Sequence, residues 1–364
     1  MASETMAPRS AAPQVQDAAP VSATDARPAG LVAVNRYRLL GLLSAVAVLV
    51  LVLWLSLVVG SKDVALGSLW PAITAYDGSP EHVIIHDLRL PRTVTGLVVG
   101  IALGLSGALI QALTRNPLAD PGILGVNAGA GFFVVLGVAL FGVTRIQEYI
   151  WFSFAGAVVA TVAVYFIGSR GRGGATPLRL TLAGVALGAV LGGISSGITL
   201  LRPSVFDSMR SWSAGTLSNR TWEIFSTVAP FIVVGTVIAL CLARPLNAVA
   251  MGDDTARSLG ANIGRTRTWT IIAVTLLCGA ATAAAGPIGF VGLMIPHVAR
   301  WIVGPDQRWI LAYTLVLSPV LLLVSDIVGR IVLRPGEMQV GIITAFVGAP
   351  VLIWLIRRRK VSTL

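Results

Sequence analysis

Charged side chains are scarce in this chain: they make up 12% of its 364 residues, whereas a globular domain carries about 25%. Hydrophobic residues make up 55%, and many apolar runs approach the roughly 20 residues that a helix needs to cross a bilayer. The sequence lacks the alternating segments of about 10 residues that mark a transmembrane barrel. The composition therefore predicts an all-α, polytopic membrane protein.

Residues that bind metals or form disulfides are equally few. The two cysteines, Cys241 and Cys278, both lie within apolar runs and so resemble small core residues. His82 and His86 stand four residues apart, but no carboxylate pattern completes a zinc site around them. His297 has no second ligand at a matching spacing, so we interpret it as a structural hydrogen-bonding residue. We expect no metal site in this chain.

The sequence also lacks the motifs of an enzyme. No G-x-x-x-x-G-K-[ST] phosphate loop occurs, so ATP-driven transport would need a separate nucleotide-binding chain. No intramembrane run of acidic residues suggests a proton or sodium relay, and Asp326, the nearest candidate, falls at the outer end of its span. No nucleophile is paired with a base. These absences weigh against a membrane enzyme and an ion-coupled carrier, and predict no catalytic residue and no cofactor here.

The distribution of apolar residues divides the chain into two regions. Residues 1–34 are rich in Ala, Pro, Ser and Asp without apolar periodicity, which predicts a disordered cytoplasmic tail. Residues 35–364 form the predicted transmembrane domain, with a cytoplasmic segment at about 246–267. This domain contains ten predicted spans, at 39–60, 93–113, 123–143, 149–168, 179–201, 224–243, 268–285, 288–304, 309–329 and 339–356.

Basic residues predict the orientation of these spans. With the N-terminus inside, 18 of the 27 Lys and Arg residues fall in inner segments, and an even number of spans places the C-terminus inside as well. The net charge of +11 could indicate a nucleic-acid partner, but the arginines sit in short loops between spans, so we expect no nucleic acid. The outer segments still hold nine basic residues, among them Lys62, Arg89 and Arg92, and this excess needs a reason.

Two spans carry glycines at four-residue spacing, which leaves one helix face without side chains. The glycines are Gly96, Gly100 and Gly104 in the second span, and Gly184, Gly188 and Gly192 in the fifth. Such a face allows a neighbouring helix to approach closely, or it could line a wide pathway. Gln111 is a polar residue within the second span, where it needs a partner. A hydrogen bond between helices and contact with a substrate or water both remain open for it.

Three polar segments outside the spans have recognisable patterns. In the loop 246–267, acidic residues follow Gly252 and Gly260 could end a short helix, which favours a docking element over a plain ordered loop. Arg89 and Arg92 share a face if helical, and could anchor at lipid headgroups or bind an acidic partner outside. Asp326 and Arg330, four residues apart, suit a helical ion pair.

The stretch GPIGFVGLMIPHVARW, residues 286–301, interrupts the apolar pattern. We interpret it as a tight outer turn made by Gly286, Pro287 and Gly289, followed by an eighth span that runs inward. Arg300 then falls in the cytoplasmic half, in agreement with the inner excess of positive charge. The break therefore concerns helix packing and movement rather than substrate chemistry.

Four separated motifs, in order along the chain, carry a family resemblance. They are RLPRTVTGLVVGIALGLSGALIQALTRNPLADPGILGVNAGAG, MGDDTARSLG, GPIGFVGLMIPHVARWIVGPD and PGEMQVGIITAFVGAPVLIWLI. Together they resemble the FecCD-type permease subunits of type II ABC importers, which carry iron-siderophores, haem and vitamin B12. The resemblance covers about residues 38–358. It implies ten helices, a homo- or heterodimer of permeases around one pathway, two cytoplasmic ATPase subunits that hold ATP and Mg²⁺, and a substrate-binding protein outside.

The resemblance also implies residue roles. The segment that couples to the ATPase would contain Gly252, Asp253, Asp254, Arg257, Leu259 and Gly260. The residues that dock the binding protein would be Arg89, Arg92 and Arg330. The residues that line the pathway would be Gln111, Gly184, Gly188, Gly192, Trp212 and Thr216. Two positions depart from the family pattern, because WSAGTL has Thr216 where Ser is usual and GEMQVG has Gln339 where Pro is usual.

The substrate is open within this family. Few charges and a wide pathway suit a bulky chelate, so a ferric siderophore is the first expectation, with haem and cobalamin as alternatives. The Ala- and Pro-rich tail and the preference for Arg over Lys suggest a bacterium with GC-rich DNA. We therefore expect a multi-pass protein of a bacterial cytoplasmic membrane, with both termini in the cytoplasm.

Overall fold

The structure, a computed structural model, describes residues 31–32, 34–60, 62, 64–143, 145–170 and 176–358. The predicted N-terminal tail, residues 1–34, lies almost entirely outside these residues. Within them the fold is helical and contains no β-strand. The α-helices are α1 Asn35–Val58, α2 Leu69–Thr74, α3 Pro80–Val83, α4 Leu90–Thr114, α5 Val126–Phe141, α6 Ile146–Ser169, α7 Pro177–Leu201, α8 Pro203–Ser213, α9 Trp222–Cys241, α10 Ala243–Ala250, α11 Asp253–Ser258, α12 Ile263–Ala285, α13 Val291–Val303, α14 Gln307–Val332 and α15 Val340–Arg358.

Ten of these helices are apolar, and each coincides with one of the ten predicted spans. Seven are long enough to cross a membrane: α1, α4 with the turn before it, α6, α7, α9, α12 and α14. Three are shorter, namely α5, α13 and α15. The predicted ends agree with the helices to within five residues everywhere, which confirms the all-α, polytopic class.

Helix α4 lies at the centre of the bundle and packs against α9, α12, α13 and α14. Its glycines make this possible. A Cβ added at Gly96 would lie 2.7 Å from a Leu323 methyl carbon, and one at Gly100 would lie 2.5 Å from the Pro319 Cα. Gly104 and Gly107 face still closer neighbours. The predicted close packing of the second span is therefore confirmed, with α14 as the helix that approaches.

The three glycines of α7 differ in how closely neighbouring atoms approach them. A Cβ at Gly184 would collide with the backbone carbonyl of Ile123, so this end of α7 packs tightly. Gly188 has ordinary space, with the Ala128 Cβ 3.6 Å from its added Cβ. A Cβ at Gly192 would meet nothing within 4 Å. Helix α7 is mostly exposed within this chain, so its second half presents an open, side-chain-poor face.

The stretch 286–301 folds as a turn and a short helix, as its sequence predicts. Gly286 has φ +76° and ends α12 against the Trp212 carbonyl, where a Cβ would collide. Phe290 has φ +69°, which is rare for a residue with a side chain, and α13 begins after it at Val291. Pro296 lies inside α13 and cannot donate a backbone hydrogen bond.

Candidate functional site

One buried cluster joins α4 and α14 at the end of the bundle that carries Arg92, called here the Arg92 end. Arg92 donates from Nε and Nη2 to Asp326, at 3.0 and 2.8 Å, and from Nη1 to Glu337 at 2.8 Å. The helices can bring these groups together because the glycine face of α4 admits α14. A single guanidinium thus binds two carboxylates, one on α14 and one in the loop before α15.

Two further arginines complete this cluster. Arg330 donates from Nε to Asp326 at 3.0 Å and from Nη1 to the Ser56 carbonyl at 2.7 Å, which confirms the predicted ion pair within α14. Arg89 donates to the Leu57 carbonyl at 2.8 Å and to the Val58 carbonyl at 2.5 Å. The carbonyls at the end of α1 have no partners within their own helix, so the arginines satisfy them.

The three arginines predicted to dock a binding protein are therefore buried. Arg89, Arg92 and Arg330 are each exposed by less than a tenth of their surface, and all three bind groups within this chain. The docking role stays a prediction, and within this chain the three side chains hold α1, α4 and α14 together. All three side chains also line one cavity.

This cavity, called here the arginine cavity, has a volume of about 560 Å³. Its wall is rich in cations, since five basic side chains face two carboxylates. They are Lys62, Arg89, Arg92, Arg220 and Arg330, with Asp87 and Glu337. The excess of positive charge favours an anionic occupant.

Arg220, in the loop between α8 and α9, is the most isolated cation of this wall. It is 5% exposed and donates to the carbonyls of Thr216 at 2.9 Å and Ser218 at 3.0 Å. It forms no ion pair with a carboxylate among the described residues. Burial lowers the pKa of the Arg220 guanidinium to about 10, so the group stays charged at neutral pH.

Two more cavities lie beside this loop and helix α8. The small cavity has a volume of about 290 Å³ and is lined by residues that include Tyr149, Trp212, Thr216, Ser218, Arg220 and Glu337. The large cavity has a volume of about 850 Å³ and is lined mainly by α5, α7 and α8, including Asn127, Phe132, Gly192, Ser196, Thr199 and Trp212. Trp212 borders both. Of the predicted pathway residues, Gly192, Trp212 and Thr216 thus line cavities.

Gln111 occupies a different place from the one predicted. It is fully buried between α4 and α13, where its Nε2 donates to the carbonyls of Gly292 at 3.3 Å and Leu293 at 3.0 Å. Pro296 lacks the N–H that would bond the Gly292 carbonyl four residues earlier, so Gln111 supplies the missing donor. The prediction that Gln111 lines the pathway is wrong, and the hydrogen bond between helices is the correct alternative.

Gly184 and Gly188 also fall outside the walls of the three cavities. Gly184 packs against the backbone at Ile123, and Gly188 lies beside Ala128. Their prediction as pathway residues is not supported here, because the chain that precedes α5 covers this end of α7. Only the last glycine of the series opens to a cavity.

The opposite end of the bundle, called the Arg115 end, carries the predicted short helix α11. It begins after Gly252, with φ +110°, and Gly260, with φ +78°, follows its last turn as the pattern predicts. Asp253 binds Arg115 and, at 2.8 Å, Arg267. Burial opposes ionisation of Asp253, but these two guanidiniums hold its pKa below the usual value.

The two acidic residues of α11 therefore differ in direction. Asp253 faces its own chain and anchors the helix to the ends of α4 and α12. Asp254 and Arg257 are exposed and pair with each other at 2.9 Å, and Leu259 is 61% exposed. The exposed surface of α11 is thus formed by the side of Asp254, Arg257 and Leu259.

The comparison with known proteins agrees with this architecture. The model of the FecCD transport family matches residues 48–358. The chain belongs to the FecCD transport family. The family and the apolar helices together indicate a transport subunit, a multi-pass protein of a bacterial inner membrane, rather than an enzyme.

Two curated relatives and one solved structure illustrate the similarity. The chain is 52% identical over 305 residues to the ferric enterobactin transport system permease protein FepD of Escherichia coli, which covers 84% of this chain and 91% of that protein. It is 38% identical over 312 residues to the cobalamin import system permease protein BtuC of Halobacterium salinarum, with 82% of each covered. A solved inward-facing metal-chelate type ABC transporter matches with a TM-score of 0.77 and 26% identity, over 87% of this chain and 99% of that one.

Some functional residues were missed by the sequence reasoning. Glu337 lies inside the quoted PGEMQVG motif, but nothing in the sequence pairs it with Arg92, 245 positions earlier. Arg220 follows WSAGTL closely and was not singled out. Arg115 was not singled out either, although it anchors α11. Each of these roles depends on a contact between distant parts of the chain.

Proposed function

We propose that this FecCD permease carries an iron chelate into a bacterial cell, driven by ATP hydrolysis on separate ATPase chains. The main support is the 52% identity to a ferric enterobactin permease across nine tenths of that protein. The large cavity, with its glycine and hydroxyl wall on α7, suits a bulky solute. A cobalamin permease is also a relative, at 38% identity, so cobalamin, and haem with it, is the alternative cargo.

The proposed orientation places the Arg92 end outside and the Arg115 end in the cytoplasm. The excess of Lys and Arg in the inner segments supports it. Both termini then lie in the cytoplasm, and the exposed side of α11 faces the ATPase. Asp254, Arg257 and Leu259 would contact the ATPase, while Asp253, with Gly252 and Gly260, would hold the helix in place.

The proposed transporter contains two permeases, identical or different, two ATPase subunits with ATP and Mg²⁺, and a binding protein on the outer side. The exposed face of α7 would contact a second permease and line the pathway shared by the two. Membrane lipid would cover the exposed faces of the remaining apolar helices. The binding protein would dock over the arginine cavity. Its acidic side chains would reach Arg89, Arg92 and Arg330 through the cavity mouth, with a strong dependence on salt.

An ion-coupled carrier is the less favoured candidate, because Asp326 is a poor ion site. This carboxylate is 2% exposed and already binds both Arg92 and Arg330. A carboxylate held by two guanidiniums has little capacity left for a proton or sodium ion. Coupling through Asp326 would require both arginines to move away.

Reconstitution in proteoliposomes tests the proposed function. The permease, its ATPase and its binding protein are reconstituted together, and uptake of radiolabelled ferric enterobactin is compared with uptake of labelled cobalamin. We expect iron uptake that needs ATP and the binding protein, and little cobalamin uptake. Uptake of cobalamin alone would support the alternative cargo. Uptake driven by an ion gradient with no ATPase present would contradict the importer altogether.

A further inference from the structure

Among the residues that the structure describes, no carboxylate forms an ion pair with the charged side chain of Arg220. It lies 5% exposed in the loop between α8 and α9, and its Nε has no hydrogen-bond partner. Its other nitrogens bind two carbonyls of its own loop. Burying a guanidinium without a carboxylate partner costs free energy, so proteins rarely keep such a buried arginine for stability alone. A buried cation of this kind, next to a cavity, indicates a binding site.

The position of Arg220 points to what it binds. Its side chain lines both the arginine cavity and the small cavity, and the small cavity ends at Trp212. Trp212 also borders the large cavity. Arg220 thus lies between the arginine cavity and the cavity that ends at Trp212, and Glu337 lines the same two cavities. Among the described residues the wall of the arginine cavity carries five cations and two carboxylates, and Asp326 behind it pairs with two of those cations, Arg92 and Arg330.

We propose that Arg220, where the arginine cavity and the small cavity share its side chain, forms a receiving site for the anionic oxygens of an iron chelate. The site rests on the proposed transport function and adds a charge preference to it. Each Nη of Arg220 donates one of its two N–H groups to a loop carbonyl, so one N–H on each nitrogen remains for oxygens such as those of a catecholate bound to iron. The cargo class is thus a chelate with net negative charge.

The charge of the chelate provides the discriminating test. A ferric tris-catecholate carries three negative charges, because three dianionic ligands surround one Fe(III). A ferric tris-hydroxamate is neutral, because its three ligands are monoanionic. If Arg220 only held its loop through the carbonyls of Thr216 and Ser218, a change at Arg220 would affect both chelates equally. If Arg220 instead binds the anionic chelate, the change weakens binding of the tris-catecholate and not of the tris-hydroxamate.

The experiment measures equilibrium binding to the permease–ATPase complex in nanodiscs, without the binding protein. The probes are gallium tris-catecholate and gallium tris-hydroxamate, which have the same charges as the iron chelates and are redox-inert. The variants are Arg220→Gln, which removes the charge, and Arg220→Lys, which retains it. Arg145→Gln is the matched control, since Arg145 is exposed and lines none of the three cavities.

We expect Arg220→Gln to weaken tris-catecholate binding by about tenfold or more, the loss typical of one charge-assisted hydrogen bond. Arg220→Lys should lose less, and Arg145→Gln should bind as the unchanged protein does. Added salt should weaken tris-catecholate binding in the unchanged protein and much less in Arg220→Gln. Tris-hydroxamate binding should be the same in all variants.

Three results would overturn the proposal. Equal binding of tris-catecholate by the unchanged protein and Arg220→Gln would show that Arg220 only stabilises its own loop. No binding of tris-catecholate to the unchanged complex would also exclude the site. An equal loss of tris-catecholate and tris-hydroxamate binding in Arg220→Gln would show a change in the loop instead of a charge preference. ATP-dependent uptake by the unchanged, complete transporter reports separately on the proposed function.

Discussion

Two carboxylates bind the same guanidinium, and the structure predicts very different costs for removing them. Asp326 is 2% exposed and binds both Arg92 and Arg330, whereas Glu337 is 27% exposed and shares Arg92 with the Ser218 hydroxyl. Asp326→Asn leaves two buried guanidiniums with too little negative charge. It should lower the free energy of unfolding by about 3–5 kcal/mol, as for other broken buried pairs. Glu337→Gln should cost about 1 kcal/mol, because water screens this contact and the amide can still bond Ser218.

Denaturant titration of the purified permease in mixed micelles measures both losses. Asp254→Asn is the matched control, since Asp254 is exposed at the other end of the bundle and should show no measurable change. The double variant Asp326→Leu with Arg330→Met removes opposite charges together. It should therefore unfold less easily than Asp326→Leu alone, with a coupling of about 0.5–3 kcal/mol. Equal losses for Asp326→Asn and Glu337→Gln, or additive losses in the double variant, would refute this reasoning.

Further predictions concern packing and the Arg115 end. Gly100→Leu should destabilise the permease by about 1–3 kcal/mol or more in the same titration, because its Cβ would meet a backbone atom at 2.5 Å. Gly192→Ala should instead raise the stability by up to about 1 kcal/mol, because its Cβ meets nothing and alanine favours the helix. Leu259→Asp should weaken co-purification of the ATPase without altering stability, since Leu259 is 61% exposed. Asp253→Asn should cost about 1–2 kcal/mol near neutral pH. Because the folded pKa of Asp253 is lowered, this difference should shrink as the pH falls below about 4, through the folded pKa.

Ten spans could be predicted from the sequence because bilayer thickness and hydrophobicity act locally. An apolar run of the right length reveals a helix without any knowledge of its neighbours. The glycine spacing of α4 likewise predicted close packing, because a missing side chain matters to whichever helix approaches. The helix after Gly252 could be predicted because the residues that begin and end it lie close together in the chain.

The misjudged residues all depend on a partner far away in the chain. Nothing in the sequence around Arg92, in α4, indicated that Asp326, 234 positions later, would bind and bury it. Gln111 left two alternatives open, because its partner is a carbonyl that only the helix geometry around Pro296 exposes. The α7 glycines looked equivalent, yet the path of the chain before α5 covers one and leaves another open.

Helix α4 has a mechanical consequence that follows from its length. Arg92 and Arg115 lie 23 positions apart on this one helix, which corresponds to about 35 Å at a rise of about 1.5 Å per residue. The side chain near one end grips α14, and the residue at the other end grips α11. A tilt of about 5° around the midpoint would carry the two ends in opposite directions by about 1.5 Å each. If α4 moves as a rigid body, movement of α11 at one face of the membrane is transmitted as strain to the arginine cluster at the other face.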